Sequence, residues 1–308
     1  MLKPSHKKLF IRAINSFNGQ KKITVFLFML IPLFLLITFT YIPAVNLIRY
    51  SVERRDRFGY SIQFTGLENF ISIFTRSEYM IAFKNTTFYL LGYLIQFVLS
   101  LLLALILCSK IKGLGFIKDL IFFPYMLNIV AVALIFKHFF NSGDGIFNAE
   151  GTLNSLLLLF GYEPFKWLST EFIVNICLVF ASIWRNIGLS TIIFMSAIQS
   201  IPKAIYEAAI LEGANRRKIL KYIILPNIRP IIALQILLAV RGAFGVFEIP
   251  YIMTAGKFGS STLVIKTVET AFIFDKVGLA SAMAVLLLII IVIMTLIQKT
   301  ITKEETQQ

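Results

Sequence analysis

Residues able to do chemistry are scarce in this chain, and they collect in two places. The first is the stretch 199–230. It contains Ser200-Ile201-Pro202, then Tyr206-Glu207-Ala208-Ala209-Ile210-Leu211-Glu212-Gly213-Ala214, and ends on Ile223-Ile224-Leu225-Pro226. Pro202 suits the first turn of a helix. Ile205, Ala208, Ala209 and Leu211 line one apolar face of that helix, with Tyr206 beside them. Gly213 ends it by allowing a positive φ. A second helix is expected over 215–224, with Arg216, Arg217, Lys218 and Lys221 on its basic side, and Pro226 marks the turn that follows. Two short helices joined at a glycine form a knob too apolar to stay solvated, so a docking partner is expected. The second place is inside long apolar runs, at Trp184-Arg185-Asn186 and at Arg241, Phe244 and Glu248. Arg241, Phe244 and Glu248 follow i, i+3, i+7 spacing and should share one helix face. Their two readings are a polar route and a structural ion pair.

Other chemistries have little to work with. There is no G-x-x-x-x-G-K-[ST], and Gly256-Lys257-Phe258 lacks both the upstream glycine and the hydroxyl residue, so no P-loop nucleotide site is expected. His6 and His138 are the only histidines and lie far apart. Cys108 and Cys177 have no CxxC spacing, so neither a metal centre nor a disulfide framework is expected. No cofactor is implied. Gly242 and Gly245 form a G-x-x-G that reads as close helix packing.

The elements that hold these residues follow from composition. Of 308 residues, 57% are hydrophobic and 15% charged, and 30 are Phe. Soluble domains run about 45–50% apolar and about 25% charged. The mean hydropathy of +0.80 instead describes an all-α polytopic membrane protein. Six spans are expected, at 23–44, 86–108, 116–136 with a kink at Pro124, 172–198, 228–254 and 277–297. The runs are continuous, without period-2 alternation, which excludes a β-barrel. With the N-terminus in the cytoplasm, 17 of the 30 Lys and Arg fall in inner segments and 11 in outer ones. By the positive-inside rule both termini are cytoplasmic. The net charge of +14 is then mostly an inner-face bias toward anionic lipid, and needs no nucleic acid. The expected organisation is a basic segment 1–22, a membrane domain 23–299 with its core at 82–298 and a cytoplasmic loop at 200–226, and a tail 300–308. The basic start followed by the first span reads as a retained span and not as a signal peptide. The outer segments 45–85 and 141–171 are expected to form short surface helices and caps, with a turn at Gly143-Asp144-Gly145 and Asn148.

The 199–230 stretch resembles the EAA loop of binding-protein-dependent ABC importer permeases. That pattern is E-A-A, three residues, G, nine residues, then I-x-L-P. Glu207, Ala208, Ala209, Gly213, Ile223, Leu225 and Pro226 match at every position. Further resemblance to the carbohydrate branch lies in Ser200-Ile201-Pro202, Glu212-Gly213-Ala214, Phe247, and Met253-Thr254-Ala255-Gly256 with Thr262. It lies also in Phe64-Thr65-Gly66-Leu67-Glu68-Asn69-Phe70, Asn85-Thr86 and Phe123-Pro124-Tyr125-Met126. Glu248 stands where that branch has Asp, and Lys257-Phe258 stands in place of G-P. The likeness covers about residues 25–300 and is strongest to the first membrane subunit of maltose-type importers.

The resemblance implies a type I importer fold in the bacterial inner membrane. It implies a second permease subunit, two ATP-binding cassette ATPases and an external solute-binding protein as partners, with an oligosaccharide as cargo. The chain itself is then no enzyme. Glu207, Ala208, Ala209, Leu211 and Gly213 become the ATPase-coupling residues. Trp184, Asn186, Arg241, Phe244 and Glu248 become candidates for the sugar pathway, where aromatic rings stack on pyranoses and amides or charges meet hydroxyls. Whether that sugar is neutral or anionic stays open. Two other classes stand beside this reading. An ion-coupled transporter calls for paired intramembrane carboxylates and related halves. A membrane enzyme calls for a cluster of His, Asp or Glu at one face.

Overall fold

The computed structural model describes residues 17–56, 58–59, 62–109, 114–143 and 151–303. The first apolar run builds α1 (Phe17–Leu36), a π turn over Ile37–Tyr41 and α2 (Ile42–Ser51). The rod therefore runs seven residues beyond the expected end at 44. Its π turn ends two residues before Pro43, whose ring and missing donor do not fit a regular α turn. A short antiparallel hairpin follows, β1 (Glu53–Arg55) and β2 (Ile62–Phe64), paired Glu53 to Phe64 and Arg55 to Ile62. Three-residue strands are too short to show a period of two, so only surface helices and caps were expected there. α3 (Glu68–Thr75) is tied to the hairpin, where Asn69 Nδ2 donates to the Glu53 carbonyl at 3.0 Å and Arg54 Nη2 donates to Glu68 Oε1 at 2.8 Å.

α4 (Ser77–Leu107) begins nine residues before the expected start of the second span. Two of its early polar residues, Asn85 and Thr86, are buried by tertiary contacts instead of marking a boundary. Asn85 Nδ2 donates to the carbonyls of Gly259 and Ser261 at 2.6 and 2.9 Å, and Thr86 Oγ1 accepts from the Leu263 amide at 3.1 Å. The buried stripe of α4 includes Ala82, Thr86, Gly92, Gln96, Ser100 and Ala104, at steps of four and six. Small and polar residues face the protein while Leu, Ile and Val face outward, which is the pattern of helices packed in lipid.

The expected third span is corrected. α5 (Leu114–Met126) and α6 (Ile129–Phe139) are two helices bent by 98° rather than one kinked rod. The break lies at Leu127-Asn128, after Pro124. Asn128 is extended (φ −59°, ψ 134°) and caps α6 by accepting the Val130 amide at 2.8 Å. α7 (Thr152–Leu159) lies in the next connection and α8 (Ile173–Gln199) is the fourth span, within a residue of expectation at each end. The expected turn at Gly143 and Asn148 falls mostly outside the described residues. Gly143 itself has φ +78°.

Beyond α8 come α9 (Lys203–Leu211), α10 (Arg216–Ile219), a π turn over Leu220–Ile224 and α11 (Leu225–Asn227). The membrane segments then resume as α12 (Arg229–Phe244), α13 (Glu248–Thr254), α14 (Leu263–Phe272) and α15 (Val277–Lys303). Among the described residues five helical segments are long and apolar enough to cross a membrane, or six with the bent pair taken as one span. Among the described residues the hairpin is the only sheet.

Three apolar clusters hold the bundle. One joins α4, α6, α8 and α13 through Tyr89, Val132, Phe136, Leu178 and Met253. A second joins α3, α4, α12, α14 and α15 through Ile73, Ala82, Phe244, Leu263 and Met283. The third, with Leu107, Phe194, Ile198, Ile201, Ile224 and Ile228, lies where α4 and α8 meet the α9–α11 segment. Close backbone approach sets two of the crossings. A Cβ on Gly188 would run into the Ile121 carbonyl of α5, and one on Gly92 into the Val179 side chain of α8.

A projecting helical knob and a polar pocket between spans

The knob is built by two caps. α9 ends in a pair of reversed bonds, Ala214 N to Ala209 O at 2.9 Å and Gly213 N to Ile210 O at 3.0 Å. This is the Schellman arrangement, which needs a left-handed residue at its centre. Gly213 supplies it with φ +79°. Asn215 then opens α10, its Oδ1 accepting the Lys218 amide at 2.9 Å. The second helix is longer and less regular than expected. It passes from α10 through the π turn into α11 and ends at Ile228 instead of turning at Pro226. Here again the π turn precedes a proline, for the reason given at Pro43.

The knob has one attached side and one free side. Tyr206 and Ala209 are half-buried, and the Tyr206 hydroxyl donates to the Ile198 carbonyl at 3.4 Å. Burial pushes the Tyr206 phenol up, and the neighbouring Cys108 adds to it. The other side is open. Leu211 is 88% exposed and Ile210 61%, and Glu207 and Ala208 are exposed beside them. The single apolar face expected from spacing is thus divided. Tyr206 and Ala209 turn inward, while Ile205, Ala208, Ile210 and Leu211 turn outward. Three large apolar side chains around one exposed carboxylate form a surface for another protein.

The second feature is a pocket of about 250 Å³ between α4, α5, α8 and α12. Its lining includes Tyr93, Gln96, Tyr125, Arg185, Asn186 and Gln235. Gln96 Nε2 donates to Ser190 Oγ at 3.1 Å, and Gln235 Nε2 donates to the Ser190 carbonyl at 3.1 Å. Both glutamines are almost fully buried, at 5% and 4% exposure, and Gln96 Oε1 has no protein partner. Arg185 Nη1 donates to Asn186 Oδ1 at 3.1 Å, and Asn186 Nδ2 donates to the Ser182 carbonyl at 2.9 Å. The guanidinium lies 5.3 Å from the centre of the Tyr125 ring, and its Nε is buried without a protein partner. A Cβ on Gly242 would come 3.0 Å from the Tyr93 ring, so this glycine does serve close packing, against α4. Gly245 meets only its own Arg241 carbonyl and ends α12.

The structure separates the residues expected to line one route. Asn186 lines the pocket. Trp184 packs edge-on against Phe136 at 5.2 Å, at the margin of the first apolar cluster. The shared face of Arg241, Phe244 and Glu248 is corrected, because α12 ends at Phe244 and α13 starts at Glu248 after three non-helical residues. Phe244 is buried in the second apolar cluster, while Arg241 and Glu248 are exposed on this chain. Spacing arguments presume an unbroken helix, and Gly245 interrupts this one. Gln96, Ser190 and Gln235 were missed. The available signal was a lone amide in an apolar run, since a polar side chain there needs a partner. Among the described residues no group of His, Cys, Asp and Glu is placed to hold a metal.

Long apolar helices, small-residue seams, a polar pocket between spans and an exposed knob describe a membrane transport subunit. The family described as the binding-protein-dependent transport system inner membrane component matches residues 96–305. A "Probable ABC transporter permease protein YurN" of Bacillus subtilis (strain 168) is 31% identical, covering 91% of this chain and 96% of that one. The multiple sugar-binding transport system permease protein MsmF of Streptococcus mutans serotype c is 30% identical, over 90% and 94% of the two chains. A solved bacterial ABC transporter involved in the import of the acidic polysaccharide alginate superposes with a TM-score of 0.80 at 20% identity, over 94% of this chain and 98% of that one. This chain belongs to the family of inner-membrane components of binding-protein-dependent transport systems. It is a permease of an ABC importer and not an enzyme.

Proposed function

We propose that this permease carries a sugar, an oligosaccharide by preference, through the inner membrane, and that separate ATPases drive it through the α9–α11 knob. The observation that carries the reading is the exposed surface of α9, with Leu211 and Ile210 open around Glu207 and the helix end held by Gly213. Such a surface is stable in water only when covered. The sugar comes from the relative MsmF, a multiple-sugar permease. The basic, knob-bearing end faces the cytoplasm, and with it both chain termini. A second permease completes the membrane pathway, two ATPase subunits take the knobs, and an external solute-binding protein delivers the cargo. Glu207, Ala208, Ala209, Leu211 and Gly213 are the coupling residues. Asn186, Arg241 and Glu248 face the route. Trp184 holds α8 against α6, and Phe244 packs α12 against its neighbours. Movement of the ATPases on binding ATP would shift the knob as a rigid body and alternate access to the pocket.

The test is affinity purification of this chain in mild detergent, followed by assay of the co-purifying material. An ATPase should come with the wild type. It should be reduced at least ten-fold with Glu207→Ala, since truncating one member of a desolvated interfacial charge pair costs about 2–5 kcal/mol. Absence of any nucleotide-hydrolysing partner from the wild-type preparation would refute the coupling.

A further inference from the structure

We propose that Arg185 makes the intramembrane pocket selective for an anionic sugar, with a carboxylate as the recognised group. The inference rests on the sugar-importer reading above and narrows its substrate class. Arg185 is the one charged residue in the lining of the pocket. Among the described residues no carboxylate lies within ion-pair distance of it. What Arg185 does have is one hydrogen bond to the neutral Asn186 and the face of Tyr125. Its Nε has been taken out of solvent and left unpartnered.

A guanidinium at membrane depth is retained only with compensation, and an ionisable residue there marks a substrate path by default. The rest of the lining offers dipoles and rings. Gln96, Asn186 and Gln235 are amides, Ser190 is a hydroxyl, and Tyr93 and Tyr125 are phenols. Those groups suit sugar hydroxyls and pyranose faces, but none supplies a negative charge. Glu248, also placed on the route, is exposed outside this lining and makes no ion pair with Arg185, so the counter-charge is assigned to the cargo. One guanidinium balances one carboxylate, and its planar fork matches that group. A phosphate monoester carries nearly two negative charges and would stay half-compensated in this pocket. A uronate-containing oligosaccharide is the class that fits.

The experiment uses the detergent-purified complex of this chain with its partner permease and ATPases, free of binding protein. Equilibrium dialysis is run with labelled trigalacturonate, its methyl ester, maltotriose and glucose 1-phosphate. The ester keeps the shape of the acid and removes its charge. Wild type should bind the acid at least ten-fold more tightly than the ester, and more tightly than the sugar phosphate. Arg185→Gln should bring acid and ester to within two-fold, while Arg185→Lys should keep part of the preference. Both variants should retain wild-type amounts of ATPase. If Arg185→Gln does not assemble, the acid-to-ester ratios of wild type and Arg185→Lys decide. Equal binding of acid and ester by wild type overturns the proposal and leaves sugar transport standing. Preference for glucose 1-phosphate overturns the carboxylate assignment. Retained acid preference in Arg185→Gln removes Arg185 from the role. Binding of none of the four overturns the sugar reading of the pocket together with this proposal.

Discussion

Gly213 offers a direct measure of how the knob transmits force, because substitution there changes backbone conformation and almost nothing else. Its φ is +79°, and an added Cβ would meet no atom within 4 Å. Steric clash is therefore not the cost. The cost is the left-handed conformation, about 1–2 kcal/mol for an ordinary L-residue. It is larger for a β-branched one, and smaller for Asn, which tolerates this region. When the residue relaxes to negative φ, the Ala214–Ala209 and Gly213–Ile210 bonds are lost and α10 is re-aimed relative to α9. A penalty of one or two kcal/mol is roughly a factor of 5–30 in population. ATPase affinity for the purified permease pair, with sugar-stimulated hydrolysis in proteoliposomes, should then fall in the order Gly, Asn, Ala, Val. The Val variant should lose at least ten-fold. Lys218→Ala is the control. Its side chain is exposed, and the bond to Asn215 uses only its backbone amide, so it should remain near wild type. Normal coupling in Gly213→Val together with failure of Lys218→Ala would refute the argument.

Three further outcomes follow from the geometry. Glu248→Gln should lower uptake several-fold while leaving the yield of the ATPase-bound complex unchanged; uptake kinetics equal to wild type would place Glu248 outside the route. Gly188→Ala should destabilise the bundle by about 1–3 kcal/mol, because the new methyl collides with the Ile121 carbonyl and has no flexible side chain to displace; thermal unfolding in detergent reads the loss, and an unchanged midpoint would contradict the close approach. Asn154→Ala should loosen the α7 connection, since Asn154 receives the Phe165 amide at 3.1 Å and Trp167 Nε1 at 2.8 Å and donates to two carbonyls. Each buried group left unsatisfied costs about 1–3 kcal/mol, and a red-shift of tryptophan emission with faster local hydrogen exchange is the expected signature.

Much of this was legible in the order of residues. Covalently local features survive translation into structure because each depends on a few neighbours along the chain. Continuous apolar runs produced spans near the expected places, with α8 matching to a residue at each end. The E-A-A and G spacing marked α9 and its stop, and Gly213 does adopt the positive φ that its position calls for. The Gly245 interruption was also in the sequence. Its meaning was not, since a glycine inside a span fits close packing as well as a helix end, and here Gly242 does the first and Gly245 the second.

Which polar groups meet was settled by packing in three dimensions. A multi-span membrane protein with a docking knob is readable from residue order, because hydropathy and capping act within a turn or a span. The pocket is a different kind of object. Gln96, Arg185 and Gln235 lie on three helices and come together only because the small-residue seam of α4 lets α8 and α12 approach closely. The same packing buries Asn85 and Thr86 under the 255–262 loop, so that residues resembling a span boundary became interior anchors. Asn128 likewise turned an apolar run into two helices at 98°, because a side-chain cap at the right backbone angle restarts a helix whatever the hydropathy around it. Hydrophobicity is additive along the chain and can be read residue by residue. Hydrogen bonding between spans is pairwise and remote, and it exists only once the helices have packed.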